Sequence, residues 1–569
     1  MKNKNYLFIF SLIIAGSLTF LACSDDFLNT PPQGALDGAV LSTSKAGVDA
    51  TVISAYKSLI GWTGNWNEQA WGTAPSNWVF NVASDEHYKG SEPGDGDETL
   101  QFQLYQWGPG NPNLRSKFAA TYEGIARANA AIRTATTFGE TNAADKVFAD
   151  QKVGEGLFLR AFFHFEAYKV WKNIPYYLEN DTDFKKPNDQ PVLPLIIADL
   201  DKAISLLPDT RAQIGRTDKI VATAYLGKAK LYAKDYTGAL AAFNTVIGSG
   251  RFSLVDCFYD NFSVAGDNNA ESILAVQTSV NDGAADGDNS NFGERLAQPH
   301  GDSNWGCCGF KNPSHDLAFS YKVDDNGLPV LVTGSTVLAR IPVGSSTPLD
   351  PRIDWTMGRT GINYLNWGPH SDTWIRGQGY AGWYSPKKNI NAKGDANLDG
   401  SWSGAQLTAL NVELMRYSDL LLMAAECEVE VGSLEKAREY VNAIRKRAGN
   451  CAQAPVGSST ISTSISDPAI TQAVYKVGEY TTAWSNKDAA RDAVRLERKL
   501  ELALEGHRIF DLQRWGNMKE VLNAYIAREK GVVSVMSNAS PVEDKHVAFP
   551  IPDSEIARSG GNLKQNSGY

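Results

Sequence analysis

Apolar residues recur at the spacing of a helix over most of the chain. Between about Leu41 and Ser253 they return every three or four positions, most clearly in FAATYEGIARANAAIRTA and EGLFLRAFFHFEAYKVW. This spacing places them on one face of a helix. The rhythm is lost near Cys257 and returns after Gln406. The pattern predicts a mainly α protein with helical regions at 41–256 and 407–569.

Two distant segments share a spacing of small residues. In each, the small residues of two successive helices are twelve positions apart, and an apolar residue follows four positions later. The residues are Leu226, Gly227, Ala239 and Phe243 in the first segment, and Ala425, Ala437 and Val441 in the second. This is the tetratricopeptide arrangement, although its Trp and Tyr are missing. We therefore predict a tetratricopeptide-like helical-repeat scaffold interrupted by an insertion.

The predicted insertion, residues 257–406, has another texture. It is rich in Gly, Asn, Asp and Pro and holds short β-like runs such as SILAVQT and LPVLV. Its many aromatic residues argue against disorder. A similar aromatic loop, GWTGNWNEQAWGTAPSNWVFNVASDEHYKG, precedes the first long helices. Long irregular segments of this kind are usually functional, so we expect a loop-rich, mixed insertion to carry the ligand site.

The amino terminus has the pattern of an export signal. Lys2 and Lys4 precede an apolar run that ends in FLAC at Cys23. The pattern predicts a signal peptide over 1–22. The residues around Cys23 resemble a bacterial lipoprotein lipobox, which implies an acylated Cys23 and a tether over 23–40. An ordinary cleavage site with an accidental cysteine is the alternative. No other run is long and apolar enough to predict a membrane-spanning helix.

Composition excludes one class of partner. The 569 residues are 43% hydrophobic and 21% charged, with a formal net charge of −10. A negative chain without a basic run is not expected to bind nucleic acid.

The other cysteines predict no metal or redox motif. None of them forms a CxxC pair. Cys427 lies in an apolar helix, where we expect a small buried side chain. For the adjacent Cys307 and Cys308, a vicinal disulfide and two free thiols both remain open.

Enzyme motifs are missing or weak. No P-loop, HExxH or GxSxG occurs. GQGYAG fits the glycine pattern of a dinucleotide site at Gly377, Gly379 and Gly382, but no predicted strand precedes it and no helix follows. We therefore expect no catalytic residues.

One segment, DANLDGSWSGAQ, is a calcium candidate. Asp395, Asn397 and Asp399 supply oxygen ligands at alternating positions before Gly400, but Gln406 stands where a bidentate Glu is expected. A surface turn rich in Asp and Asn is the favoured interpretation. No other cofactor is expected.

The stretch RLERKLELALEGHRIFDLQRWG, from Arg495 to Gly516, concentrates charge. Leucines four apart predict a buried stripe, and Arg and Glu three apart predict ion pairs along the same helix. The pairs expected are Arg498 with Glu501 and Glu505 with Arg508. Such a helix is scaffold, because nothing in it separates the carboxylates into an acid and a base.

This stretch closely resembles the carboxyl-terminal signature of the SusD/RagB family, the surface nutrient-binding lipoproteins of Bacteroidetes. Further matches run through the chain in order: the Cys23 lipobox with DFLNTPP, YEGIARANAAI, FLRAFFHFEAYKVWKNIPYY, RYSDLLLMAAECEVEVG, DPRIDWTMGR, and FPIPDSEIARSGGNLKQNSGY.

The resemblance implies a scaffold of about four tetratricopeptide-like helix pairs and a variable, loop-rich part that presents the ligand site. It implies a protein that binds without catalysis and is held at the outer membrane, on the cell surface, by lipid on Cys23. The implied partner is a SusC-like TonB-dependent transporter, which receives captured oligosaccharides and meets the helical face. A peptide ligand and, less favoured, a glycan-active enzyme are the alternatives.

Two sets of residues have the chemistry of a sugar site. Sugar rings stack on aromatic rings, and their hydroxyls need fixed polar partners. The first set is Trp66, Trp71 and Trp78 with Asp85 and Lys89, and the second is Trp305, Trp367 and Trp374 with Arg376. We predict that ligand contacts come from these sets, although each Trp can equally pack its loop onto the scaffold.

Overall fold

The computed structural model describes residues 38–61, 70–284, 287–334, 339–399 and 407–569. The predictions for the signal peptide, Cys23, Trp66, Gly400 and Gln406 lie outside these ranges. None of the helices within them combines the length and apolar content needed to cross a bilayer.

Helices dominate the part of the chain before the insertion. Their bounds are α1 (Gly38–Leu41), α2 (Lys45–Lys57), α3 (Trp78–Asn81), α4 (Asp97–Gln103), α5 (Pro112–Thr141), α6 (Lys146–Trp171), α7 (Leu193–Leu206), α8 (Lys219–Tyr232) and α9 (Tyr236–Gly248).

In its described residues, the insertion contains only short elements. Its helices are α10 (Asp302–Trp305), α11 (His315–Ser320), α12 (Arg352–Thr356) and α13 (Gln378–Ala381). Its strands are β1 (Ser272–Val276), β2 (Pro348–Leu349), β3 (Met357–Gly358), β4 (Ser385–Pro386) and β5 (Leu398–Asp399). The run SILAVQT contains β1 as predicted, whereas LPVLV is not a strand and contributes one isolated bridge, between Val323 and Pro329.

Groups of short strands and groups of helices follow one another in residues 407–569. The strands are β6 (Leu407–Thr408), β7 (Val412–Arg416), β8 (Ala452–Gln453), β9 (Ser462–Thr463) and β10 (Val474–Tyr475). The helices are α14 (Tyr417–Val431), α15 (Leu434–Ala448), α16 (Lys487–Leu502), α17 (Arg508–Trp515), α18 (Met518–Glu529) and α19 (Asp553–Arg558).

The scaffold helices stack in chain order. Helix α2 packs on α5, α5 on α6, α6 on α7, α7 on α8, and α8 on α9. After the insertion, α14 packs on α9, and α15 packs on α14. The repeat therefore continues across the insertion, and the prediction of a mainly α, tetratricopeptide-like scaffold is confirmed.

Local sequence explains where these helices start and how closely they cross. The Asn111 side chain accepts a hydrogen bond from the amide of Asn113 at 3.0 Å, and Pro112 fills the first position of α5. Where α8 crosses α9, a Cβ on Gly227 would lie 2.5 Å from the ring of Phe243. The absent side chain at Gly227 is therefore what lets the two helices approach.

The two ends of the insertion meet at the scaffold. Strand β1 pairs antiparallel with β7, which runs directly into α14. The amide of Tyr417 donates to the carbonyl of Glu271 at 2.8 Å. Cys257 and Cys451 add a disulfide that the sequence reasoning missed, across 194 positions. Cys307 is paired with Cys308, and Cys427 is free and buried as predicted.

The charged stretch Arg495–Gly516 is scaffold, but its predicted ion pairs along one helix are wrong. Helix α16 ends at Leu502, so the charges project in different directions. Arg498 binds Asp419 and Asp511, at 2.9 and 3.0 Å, and does not pair with Glu501. Glu505 and Arg508 also bind elsewhere, Glu505 to Arg416 and Lys388 and Arg508 to Asp85. The pairs are tertiary because the charges are buried, where each must find a partner from another element.

Candidate functional site

The loops that carry the two predicted sets are joined by backbone hydrogen bonds. The backbone of the segment before α4 lies along residues 309–312, with the amide of Tyr88 donating to the carbonyl of Asn312 at 2.8 Å. The amide of Lys311 donates back to the carbonyl of Lys89, also at 2.8 Å. Segments more than two hundred residues apart in the sequence therefore lie side by side, and the residues that join them are buried.

We call the loop site the surface made by Trp71, Glu92, Asp95, Arg376 and Tyr380. Trp71 and Tyr380 are half-buried, although the indole nitrogen of Trp71 and the hydroxyl of Tyr380 are buried. Trp71 packs on Phe310, with ring centres 5.7 Å apart and an angle of 31°. An aromatic surface with adjacent charged groups is the chemistry expected for binding a sugar.

Arg376 joins the two sets. One of its terminal nitrogens donates to Asp95 at 3.0 Å and to the hydroxyl of Ser91 at 3.2 Å. The other donates to Glu92. Its side chain is 26% exposed, so the planar guanidinium lies at the surface with its orientation fixed by two carboxylates.

Lys89 lies beneath this surface. Its ammonium group donates to the carbonyl oxygens of Glu92, at 2.9 Å, and Asp95. It also stands 5.2 Å from the ring centre of Tyr380 and 5.4 Å from that of Phe310. Burial lowers the pKa of Lys89 to about 8. Lys89 thus ties together the turn that carries the acids.

Aromatic rings of the insertion form a cluster of their own. The ring of the buried Trp305 lies 4.6 Å from Trp367 and 5.4 Å from Trp374. Trp367 is half-buried, and its indole nitrogen donates to the carbonyl of Asn391 at 2.8 Å. Trp305 is two positions from Cys307, whose sulfur lies within 4.8 Å of a carboxylate oxygen of Asp95. The short link between Trp305 and Cys307 therefore brings this cluster near Asp95 of the loop site.

Five of the predicted site residues are inside the protein: Trp78, Asp85, Lys89, Trp305 and Trp374. The indole nitrogen of Trp78 donates to the carbonyl of Gly293 at 2.8 Å. Asp85 binds Lys499 and Arg508, each at 2.8 Å, and these cations hold the pKa of Asp85 well below its usual range against burial. These side chains support the loops from below, which corrects the expectation that they face a ligand.

Trp71, Trp367 and Arg376 are the predicted residues that retain exposed surface. Sequence reasoning missed Glu92, Asp95 and Tyr380. Their position in the sequence could have indicated them, because Glu92 and Asp95 follow Lys89 in the same loop and Tyr380 follows Arg376.

The calcium candidate has the geometry of a turn in its described part. Asp395 accepts hydrogen bonds from the backbone amide and side-chain amide of Asn397, at 2.9 and 2.8 Å. Among the described residues, the group with the spacing of metal ligands is Asp95 with Cys307 and Cys308. Those two sulfurs are bonded to each other, so neither is the thiolate that a metal needs.

A separate cavity of about 550 Å³ lies on the helical scaffold. We call it the scaffold groove; its apolar lining includes Phe118, Tyr122, Tyr177, Leu178 and Phe184. Phe118 and Tyr122 stack with ring centres 4.2 Å apart. At the rim, Phe184 is 74% and Leu178 is 45% exposed.

Two family models match the chain. The model described as the SusD family matches residues 270–569, and one described as starch-binding, associating with the outer membrane, matches residues 61–232. SusD-like protein P2 of Formosa agariphila is 24% identical, with both chains covered in full.

Solved structures have the same fold. A SusD-like protein of Bacteroides fragilis is 19% identical, with a TM-score of 0.66 over 94% of this chain and 99% of the other. Surface glycan-binding protein A of Bacteroides thetaiotaomicron, solved in complex with laminarihexaose, is also 19% identical, with a TM-score of 0.64 over 92% and 99%.

Proposed function

Because the chain belongs to the SusD family, we propose that it is a cell-surface lipoprotein that captures oligosaccharides and delivers them to a SusC-like TonB-dependent outer-membrane transporter. The observation that carries the proposal is the loop site, where Arg376 is oriented by Glu92 and Asp95 in loops that also carry half-buried Trp71 and Tyr380. Apolar sugar faces stack on such rings, and sugar hydroxyls bond to such fixed charged groups.

The loop site favours binding over hydrolysis. A glycosidase gives two carboxyl groups different roles, one as the proton donor and one as base or nucleophile. Here Glu92 and Asp95 both accept hydrogen bonds from the one guanidinium of Arg376, so their environments are alike. The enzyme alternative would be revived by turnover of a bound glycan that one carboxylate substitution abolishes.

In this proposal, the protein lies at the outer membrane, beside the transporter. Acyl chains on Cys23 would anchor the protein without a spanning helix. The scaffold groove, with exposed Phe184 and Leu178, supports docking of the transporter on the helical face. Loss of the protein from the membrane fraction after Cys23→Ala, and co-purification of the transporter with the native protein, are the expected results.

Calorimetry with oligosaccharide and peptide panels tests the ligand class. We expect Trp71→Ala and Trp367→Ala each to weaken oligosaccharide affinity about tenfold, a loss of about 1.4 kcal/mol. Trp484→Ala is the matched control, because Trp484 is also half-buried but packs on Tyr480 at a ring distance of 5.3 Å, outside the loop site. Binding to peptides and to no glycan would replace the sugar ligand with a peptide.

A further inference from the structure

The solvent-facing charge of the loop site is mainly negative. Glu92 and Asp97 are exposed, and Asp95 and Glu98 are half-buried. The side chain of Glu92 is 48% exposed and that of Asp95 is 33% exposed. Four carboxylates therefore lie within seven consecutive residues, beside the aromatic surface.

The nearby cations are each paired or buried. Arg376 donates hydrogen bonds from its terminal nitrogens to Glu92, Asp95 and Ser91. Lys89 has no exposed surface, and its ammonium group points at backbone carbonyls. Arg295 is buried against the ring of Phe292, with its guanidinium carbon 4.0 Å from the ring centre.

Positive and negative charges are more evenly balanced around Trp367. The ammonium group of Lys393 lies 5.8 Å from the Trp367 ring, and Lys393 is exposed. Asp395 stands two positions away and Asp399 follows in β5. One lysine beside two acids does not reverse the sign of the surface.

We propose that the loop site selects neutral glycans and rejects those that carry carboxylate or sulfate groups. This specificity rests on the proposed function, because it assumes that a glycan binds at the loop site. Two negative charges are left when Arg376 and Lys89 are set against the four acids. A unit charge about 10 Å away in water changes affinity about twofold at low salt, so two disfavour an anionic sugar about fourfold.

Affinity electrophoresis in gels with embedded polysaccharide measures this directly. The neutral probes are laminarin, xyloglucan and galactomannan, and the anionic probes are alginate, polygalacturonate and carrageenan. We expect retardation by at least one neutral polymer and by no anionic polymer, at both about 20 mM and about 200 mM NaCl, because salt screens repulsion without supplying a cation to bind the anion.

Charge reversal provides the second arm. Asp97→Lys with Glu98→Lys changes the local charge by four, so we expect the affinity for an anionic polymer to rise more than tenfold at low salt. The matched control is Asp189→Lys with Asp201→Lys, because both residues are exposed on the scaffold and give the same change in net charge.

The outcomes separate the two proposals. Tight binding of an anionic polymer by the native protein, or an equal effect of the control variant, would overturn the neutral specificity and leave glycan capture standing. Failure to bind any glycan, neutral or anionic, would overturn both.

Discussion

Glu501 is bound to three arginines in the core of the carboxyl-terminal region. One of its oxygens accepts from Arg416 at 3.0 Å and from Arg447, and the other accepts from Arg352 at 2.9 Å. These cations lower the pKa of Glu501 against the opposing effect of burial. Removing one member of such a group leaves charges buried without a partner.

Glu501→Gln is therefore expected to lower the free energy of unfolding by about 3 kcal/mol at neutral pH. Glu439→Gln is the control, because Glu439 pairs with Lys436 at the surface and should change stability by less than about 0.5 kcal/mol. Denaturant unfolding followed by circular dichroism measures both. Equal losses in the two variants would contradict the role given to Glu501.

The same variant has a pH signature. The pKa of Glu501 is lower in the folded than in the unfolded chain, where its ordinary value is 4.5. Its stabilising effect is thus present above pH 4.5 and is lost as the pH falls below that value. The stability difference between the native protein and Glu501→Gln should shrink on acidification and should not grow.

At the scale of elements, close helix crossings depend on single small residues. In the α8–α9 pair, the Cα of Gly227 faces the ring of Phe243, which is fully buried. The ring fills the space that a side chain at Gly227 would need. This is the tetratricopeptide contact that the spacing of Gly227, Ala239 and Phe243 predicts.

Gly227→Ala is expected to destabilise the protein by about 1 to 3 kcal/mol, because its Cβ overpacks the crossing. Gly248→Ala makes the same change at the end of α9, where no neighbouring atom lies within 4 Å of the new Cβ. There the higher helix propensity of Ala should leave stability equal or raise it by up to about 1 kcal/mol. Thermal unfolding of both variants decides, and a stabilised Gly227→Ala would refute the packing argument.

Elements that depend on local pattern were predictable, while the partners of side chains were not. Helical periodicity marks α5 and α15 because each buries one face along its length, whereas α6 and α14 are recognisable as long apolar runs that are buried on all sides. The sequence near Trp305 does not indicate that Trp367 and Trp374 pack against it. It also does not indicate that Trp71 is only half-buried. The sequence could therefore single out these loops, but not which of their side chains are buried, and the ligand site itself stays a prediction.

At the scale of the whole molecule, one covalent bond ties the start of the insertion to the region that follows the scaffold. Cys257 precedes β1, and Cys451 follows α15. Their Cα atoms are 5.5 Å apart, although 194 positions separate them in sequence. A bond that closes so long a loop restricts the unfolded chain strongly.

Replacing both Cys257 and Cys451 with Ser is expected to lower the free energy of unfolding by about 2 to 5 kcal/mol. Cys307→Ser with Cys308→Ser is the control, because that pair closes no loop of comparable length. Thermal unfolding of both variants, each with and without a reductant, separates the two bonds. A native melting temperature that a reductant does not change would show that the long-range bond contributes nothing.

The shared charges around Glu501 also set how this sequence can vary over generations. A residue with three partners cannot be exchanged alone without leaving a buried charge behind, so an acceptable change needs several simultaneous substitutions in segments far apart. At the loop site, Glu92 and Asp95 share one partner, Arg376, and all three side chains are partly exposed, so a substitution there leaves no charge buried without a partner. We therefore expect the interior to tolerate fewer single substitutions than the loop site. New ligand preferences can then arise at the loop site without disturbing the fold.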